Sequence, residues 1–214
     1  MRGFDHINTW VFDLDNTLYP ASCRLFDQMH VRMSDFIIQE FGVDEAEARR
    51  RRHSYYIKYG TTLRGLMVEH DMQPGAFLDY VHEIDYTAVQ HSVELKTALA
   101  KLPGRKLIFT NGTTGHAKRV LKQLGIENSF DGIFDIIDSG YIPKPDRTPY
   151  EKFAALYEID TTRAAMFEDI DLNLEAPHDM GMTTVLITDA QKHDAHFVHH
   201  TTNDIAIFLK GLRP

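Results

Sequence analysis

The stretch VFDLDNTLYP, residues 11–20, ends an apolar run with two aspartates, Asp13 and Asp15, one residue apart. Residues 7–12 (INTWVF) have the length of a strand, and the run stops at the carboxylates. Two like charges at a strand exit repel each other, so the pair implies something cationic held between them. In extended chain, residues i and i+2 face the same way, so both side chains flank one point.

Outward from this strand, residues 22–102 read almost entirely as helices. Asp44 and Glu47 make a capping box for a helix running through Arg52 and Tyr56. Thr61 or Thr62 caps the next, which carries Leu63, Leu66 and Met67 at helical spacing. Pro74 suits the first turn of another, with Phe77, Val81 and Ile84 as its apolar stripe.

After Leu102-Pro103-Gly104 the pattern changes. RKLIFTNG (105–112), GIFDIID (132–138), AAMFED (164–169) and TTVLIT (183–188) read as strands, with a short one more near His196–His199. Helices alternate with them: TGHAKRVLKQLG (114–125), capped by Thr114 and stopped by Gly125; one opened by Thr148 as N-cap with Pro149 first and Glu151 third; DLNLEAPHDMG (171–181); and residues 203–210. Such alternation predicts an α/β fold, a doubly wound parallel sheet covered on both faces. The expected organisation is a Rossmann-like catalytic core of residues 1–20 and 103–214. A helical cap domain, residues 21–102, is inserted after the first strand.

Bulk composition narrows the function. With 23 Lys+Arg against 31 Asp+Glu the formal net charge is −8, which argues against nonspecific nucleic-acid binding. No run of about 18 apolar residues occurs, and MRGFDHINTW lacks the apolar segment of a signal peptide. The single cysteine, Cys23, has no intrachain partner for a disulfide. A cytoplasmic enzyme without membrane attachment, monomer or homodimer, is the expectation. Arg49 to Arg52 point around the whole helix circumference, so they read as a solvated face beside Glu45 and Glu47. His193, His196, His199 and His200 suggest a metal site, but a strand followed by a capped helix would break its geometry.

In sheets of this kind ligands bind at the carboxyl ends of the strands. There stand Asp13 and Asp15, then Thr110-Asn111-Gly112, then Glu168-Asp169, with Lys144 in the loop IPKPD, residues 142–146. One carboxylate can attack phosphorus to give an aspartyl phosphate, and the other can handle the protons of leaving group and water. Mg²⁺ takes oxygen ligands, usually one or two carboxylates plus substrate phosphate, which Asp13 and Asp169 supply. Lys144 and the Thr110 hydroxyl can stabilise charge on phosphoryl oxygens.

The ordered set DxDNT, TNG, KP and ED resembles the haloacid dehalogenase superfamily over nearly the whole chain. That resemblance implies Asp13 as nucleophile and Asp15 as general acid/base, with Thr110, Asn111 and Lys144 binding phosphate. It implies Mg²⁺ on Asp13, the Asp15 main-chain carbonyl and Asp169, with Glu168 a further candidate ligand. Asn173 stands where many relatives carry an aspartate or a small residue, and is expected to orient Asp169 or Lys144 from behind. Dehalogenases of the superfamily lack an acid at the position of Asp15, so a phosphatase or phosphomutase is implied. YGTTLRGLM (59–67), YVHEIDY (80–86) and FVHHTTNDI (197–205) further resemble the pyrimidine 5′-nucleotidase-like group. The expected reaction is Mg²⁺-dependent hydrolysis of a small phosphorylated metabolite, a (pyrimidine) nucleoside 5′-monophosphate. A phosphosugar phosphatase or a phosphomutase is the alternative. Thr62, Arg64 and His82 are candidates to meet the substrate from the cap, against ordinary surface roles. A phosphoacceptor switch would place its acidic pair before the phosphorylated aspartate, the reverse of the order here.

Overall fold

A computed structural model describes residues 3–190 and 194–212. All four residues of β1 (Thr9–Phe12) are buried, as a strand covered on both faces requires. It lies between β2 (Arg105–Phe109) and β4 (Ala164–Glu168), pairing parallel with both. Beyond these lie β3 (Gly132–Phe134), β5 (Thr183–Ile187) and β6 (His200–Thr202). Among the described residues the sheet order is β3-β2-β1-β4-β5-β6, with every pairing parallel. The winding reverses between β1 and β4, which opens a crevice at their carboxyl ends.

Alternate residues of each strand serve opposite faces. Trp10, Phe12, Ile108, Phe167 and Val185 pack under α5 (Val93–Lys101), α6 (Thr114–Leu124) and α9 (Ile205–Gly211). Val11, Leu107, Phe109, Met166 and Leu186 pack under α7 (Arg147–Leu156) and α8 (Glu175–Asp179). Tyr86, Val89, Leu95, Ala98 and Leu99, all within the 21–102 stretch, join the first of these clusters.

Four helices have their own core: α1 (Leu25–Phe41), α2 (Glu45–Tyr59), α3 (Thr62–His70) and α4 (Pro74–Val81). Ile37, Ala48, Tyr55, Leu66, Phe77 and Val81 bury one another there, and Ile136, from the loop after β3, enters the same cluster. Gly65 lets α3 lie close on α2, since a Cβ on it would overlap the Tyr55 side chain. Gly60, at φ 81°, ends α2 against the other side of the crevice. A Cβ there would stand 3.2 Å from Pro143 Cγ and 3.4 Å from the Lys144 carbonyl oxygen.

Several element ends differ from the sequence expectation. Asp44 does cap α2, accepting from Glu47 N at 2.8 Å, and Thr61 rather than Thr62 caps α3. Thr113, not Thr114, caps α6, accepting from His116 N at 3.2 Å. Asp146 replaces Thr148 as the cap of α7, accepting from Thr148 N at 2.8 Å. Pro149 remains in the first turn, where its missing N–H leaves no bond unmade, and Glu151 pairs with Arg147 at 2.7 Å instead of closing a capping box. β3 stops at Phe134 because the Asp135 carboxylate turns the chain, accepting from Ile137 N, Asp138 N and Thr114 N at 2.7–2.9 Å. Residues 171–181 divide into a 3-10 turn, Asp171–Leu174, and the short α8. The last strand is His200–Thr202, displaced past His196–His199. Asp204 caps the final helix, which therefore starts at Ile205.

Candidate active site

Asp13 follows β1 directly, its amide donating to Phe167 O of β4 at 2.9 Å. The chain then turns through Asn16 at φ 61°, a conformation asparagine tolerates better than most residues. Lys144, buried to 2 % exposure, is the centre of what faces this turn. Its Nζ donates to Asp13 Oδ1 at 2.7 Å, Glu168 Oε1 at 2.7 Å and Phe109 O at 3.0 Å. An ammonium has three protons, so one lysine is fully bonded to β1, β2 and β4 at their shared end.

Two amides hold this arrangement. Asn111 Oδ1 accepts from Lys144 N at 2.9 Å and its Nδ2 donates to Lys144 O at 3.3 Å, so Asn111 grips the loop main chain. Asn173 Nδ2 donates to Glu168 Oε1 at 2.6 Å, and its carbonyl accepts from the buried Tyr150 hydroxyl at 2.7 Å. Asn173 therefore reaches Lys144 through Glu168.

The carboxylates are crowded. Burial pushes Asp13 up to about 7, with Glu168 and Asp15 adding repulsion against the pull of Lys144. Burial also pushes Asp169 up to about 8, helped by Asp13 and Glu168. For Lys144 burial opposes the charge, but Asp13 and Glu168 outweigh it and hold the ammonium above its ordinary value. Asp13, Glu168 and Asp169 each offer a carboxylate oxygen, all within 4.8 Å of one another. Glu168 is already engaged by Lys144, Asn173 and Ile170 N, so oxygens free for a cation come chiefly from Asp13 and Asp169. An all-oxygen, excess-negative donor set fits a hard divalent cation such as Mg²⁺.

Asp15 has different surroundings. Tyr19 OH donates to its Oδ1 at 2.5 Å, and His116 Nε2 lies 2.8 Å from the same oxygen. Burial alone would raise Asp15, yet His116 and Tyr19 hold it below the usual carboxylate value. His116 Nδ1 meets Tyr86 OH at 3.0 Å, and that hydroxyl donates to His82 O at 3.0 Å. The His82 ring stacks on His116 at 4.7 Å and stays neutral, lowered to about 4 by burial and by His116.

A cavity of about 510 Å³ covers these groups, lined at the strand ends by Asp13, Asp15, Thr110, Lys144, Glu168 and Asp169. The buried Thr110 hydroxyl accepts from Gly112 N at 2.9 Å. From the helical side Thr62 and His82 line the cavity, while Arg64 is not among the described residues that do. His116, Tyr19 and Tyr86 were not singled out by the sequence reading. Arg52 departs from the solvated face expected of Arg49 to Arg52: Arg49, Arg50 and Arg51 do pair with Glu45 and Glu47, but Arg52 lines the cavity. At 100° per residue, one of four consecutive arginines had to face inward.

Among the described residues the histidine-rich segment gathers no such set of three ligands. His178 lies 5.6 Å from His196 and 5.2 Å from His199, ring to ring, and His199 Nδ1 is engaged by Thr184 Oγ1 at 2.8 Å. His200 lies in β6, and His193 falls outside the described residues. Among the described residues no helix is long and apolar enough to cross a membrane.

Residues 7–200 match the family model of the haloacid dehalogenase-like hydrolases. Phosphate metabolism protein 8 of Saccharomyces cerevisiae is 33% identical over 207 residues, 87% of this chain and 64% of the yeast protein, so the chain spans under two thirds of that relative. Among solved structures, an HAD phosphatase from Thermococcus onnurineus superposes with a TM-score of 0.64 at 17% identity, covering 95% of this chain and 97% of that one. The HAD-hydrolase YfnB from Bacillus subtilis, described as bound to magnesium, gives a TM-score of 0.62 at 13% identity, covering 95% and 97%. At these identities the structural likeness speaks for the fold.

Proposed function

Since the chain belongs to the haloacid dehalogenase-like hydrolases, we propose that it is a Mg²⁺-dependent phosphomonoester phosphatase working through an aspartyl phosphate. The observation that carries this reading is the division of labour between the two aspartates. Asp13 has Oδ1 pinned by Lys144, which leaves Oδ2 as the atom to attack phosphorus. Asp15 has Oδ1 pinned by Tyr19 and His116, which leaves Oδ2 to pass to the departing alkoxide a proton taken up with the phosphomonoester, and then to deprotonate the attacking water. The Thr110 hydroxyl would donate to a phosphoryl oxygen, and the Lys144 ammonium, its three protons already bonded, would offset phosphoryl charge through its field. Asp13, the Asp15 main-chain carbonyl and Asp169 would hold Mg²⁺, which would offset the charge between the carboxylates and a phosphate dianion. Gly112 keeps room here, since a Cβ on it would stand 3.8 Å from Asp15 Oδ2 and 3.3 Å from Thr110 Oγ1.

We further propose a nucleoside 5′-monophosphate as substrate, in the cytoplasm, with the α1–α4 helices acting as the cap. An apolar wall of Phe26, Met29, Phe77 and Val81 above the acidic floor suits a leaving group larger than an alcohol of few carbons. Phosphosugar hydrolysis or phosphomutase action is the second reading, since either would keep Asp15 in the same role. Phosphate release measured over mononucleotides and sugar phosphates, with and without Mg²⁺, decides the class, and isomer formation without release identifies a mutase. Asp13→Asn should end multiple turnover, because an amide cannot form the acyl phosphate. Sustained release by that variant would overturn the assignment.

A further inference from the structure

We infer that Arg52 determines specificity by binding carbonyl or carboxylate oxygens on the leaving group, an inference that rests on the phosphatase reading above. Arg52 sits on α2 and lines the cavity, yet its Nε and Nη1 are buried with no hydrogen-bond partner among the described residues. Buried donors are almost always satisfied, and leaving a guanidinium N–H dry and unpaired costs stability. A folded protein keeps such a group where a ligand completes it.

The surroundings say what kind of ligand. Arg49, Arg50 and Arg51 use up the nearby Glu45 and Glu47, so Arg52 gains no carboxylate from its own helix. Across from it on α1 stands His30, held below the ordinary imidazole value by burial and by Arg52 itself, and an imidazole has no anionic form to pair with the guanidinium. The acids that line the cavity, Asp13, Asp15, Glu168 and Asp169, all belong to the strand ends. The cavity thus has two unlike poles. One takes the phosphate, and the other presents uncompensated donors beside Met29, Met33 and Phe77. A phosphomonoester that fills it has an apolar or flat body and acceptor oxygens remote from phosphorus. Guanidinium suits such oxygens, because it is always charged and holds its donors in a fixed plane.

Two ester sets test this in the full chain with Mg²⁺. The first comprises pyrimidine nucleoside 5′-monophosphates and a carboxylated phenyl phosphate. The second comprises phenyl phosphate and a simple alkyl phosphate, whose leaving groups lack carbonyl and carboxylate oxygens. The wild type should prefer the first set in kcat/KM, through lower KM. Arg52→Met should cut that preference about 10- to 100-fold, the range for hydrogen bonds to a charged group, and Arg52→Lys should restore part of it. Melting temperature should rise or hold in Arg52→Met, because the unpaired donors are gone. A wild type with no preference, or an equal loss on both sets together with a fall in melting temperature, would overturn the inference and make Arg52 a structural residue. Failure to release phosphate from any ester of either set would instead sink the phosphatase reading, and this inference with it.

Discussion

His116 Nε2 stands 2.8 Å from Asp15 Oδ1, across 101 residues of chain. The Tyr86 hydroxyl lies 3.0 Å from both His116 Nδ1 and the His82 carbonyl oxygen. The imidazole is thereby fixed at both nitrogens, and it fixes Asp15 in turn. His116→Gln should lower kcat about 10- to 100-fold with a smaller change in KM, the scale on which misplacing a reacting group slows a reaction. The loss should shrink for an aryl phosphate whose leaving group departs without a proton. Equal losses on both ester types would show that His116 does not act through Asp15.

Lys144 holds three strand ends together, so its removal should be felt in stability as well as rate. Lys144→Met leaves Asp13 and Glu168 buried without their cation, a change that costs about 3–5 kcal/mol. Urea unfolding at pH 7.5 should show that loss. At pH 5 it should be smaller, because a protonated Asp13 needs no cationic partner. A pH-independent loss would mean that packing, not charge, is what the lysine supplies.

Mg²⁺ and pH should be linked through Asp13 and Asp169. Both are raised in the folded chain, to about 7 and about 8, so between roughly pH 4 and pH 8 the folded state holds protons that the unfolded state has released. Their contribution to stability therefore falls as pH rises through that window. A bound cation replaces those protons, so the rise in melting temperature on adding Mg²⁺ should be larger at pH 8 than at pH 5. Excess EDTA should abolish both the stabilisation and turnover. A Mg²⁺ effect that is the same at both pH values would separate the metal from these two carboxyls.

Gly65→Ala tests whether the helical layer has a core of its own. Its Cβ would collide with Tyr55 at the α2–α3 contact, and overpacking of this kind costs about 1–3 kcal/mol. Proteolysis should then cut within residues 25–81 before it cuts the sheet. Uniform susceptibility along the chain would show one cooperative unit instead.

Asp13, Asp15, Thr110 and Asp169 could be placed together from the sequence for one physical reason: each lies at or just beyond the end of an apolar strand, and parallel sheets bring such ends together. Lys144 reaches the same ends from the loop after β3. The parallel sheet itself was legible from the alternation after residue 104. Asn111 lines the cavity with these residues, and its amide also grips the Lys144 main chain, a contact the sequence did not foretell, since that amide can donate and accept at once. His116 and Tyr86 were hidden because a histidine inside an amphipathic helix reads as any half-polar residue until the helix is docked on its sheet. Arg52 was hidden by its neighbours, whose glutamate pairing made the whole run look solvated. Helix starts were misread at Thr114 and Thr148 where an equally good cap, Thr113 or Asp146, lay one or two residues earlier.

Ile136 packs in the core of the α1–α4 layer, and Gly60 of that layer closes on Pro143 and Lys144. Both contacts fall on the single loop, residues 135–146, that delivers Lys144 to the strand ends. The helical layer and the lysine loop are therefore packed as one structural unit. A cap grafted from another family member onto this sheet would arrive without its matching seat, and the lysine would be set by a loop shaped for a different lid. Chimeras that exchange the helices together with residues 135–146 should keep their chemistry, while those that exchange the helices alone should not.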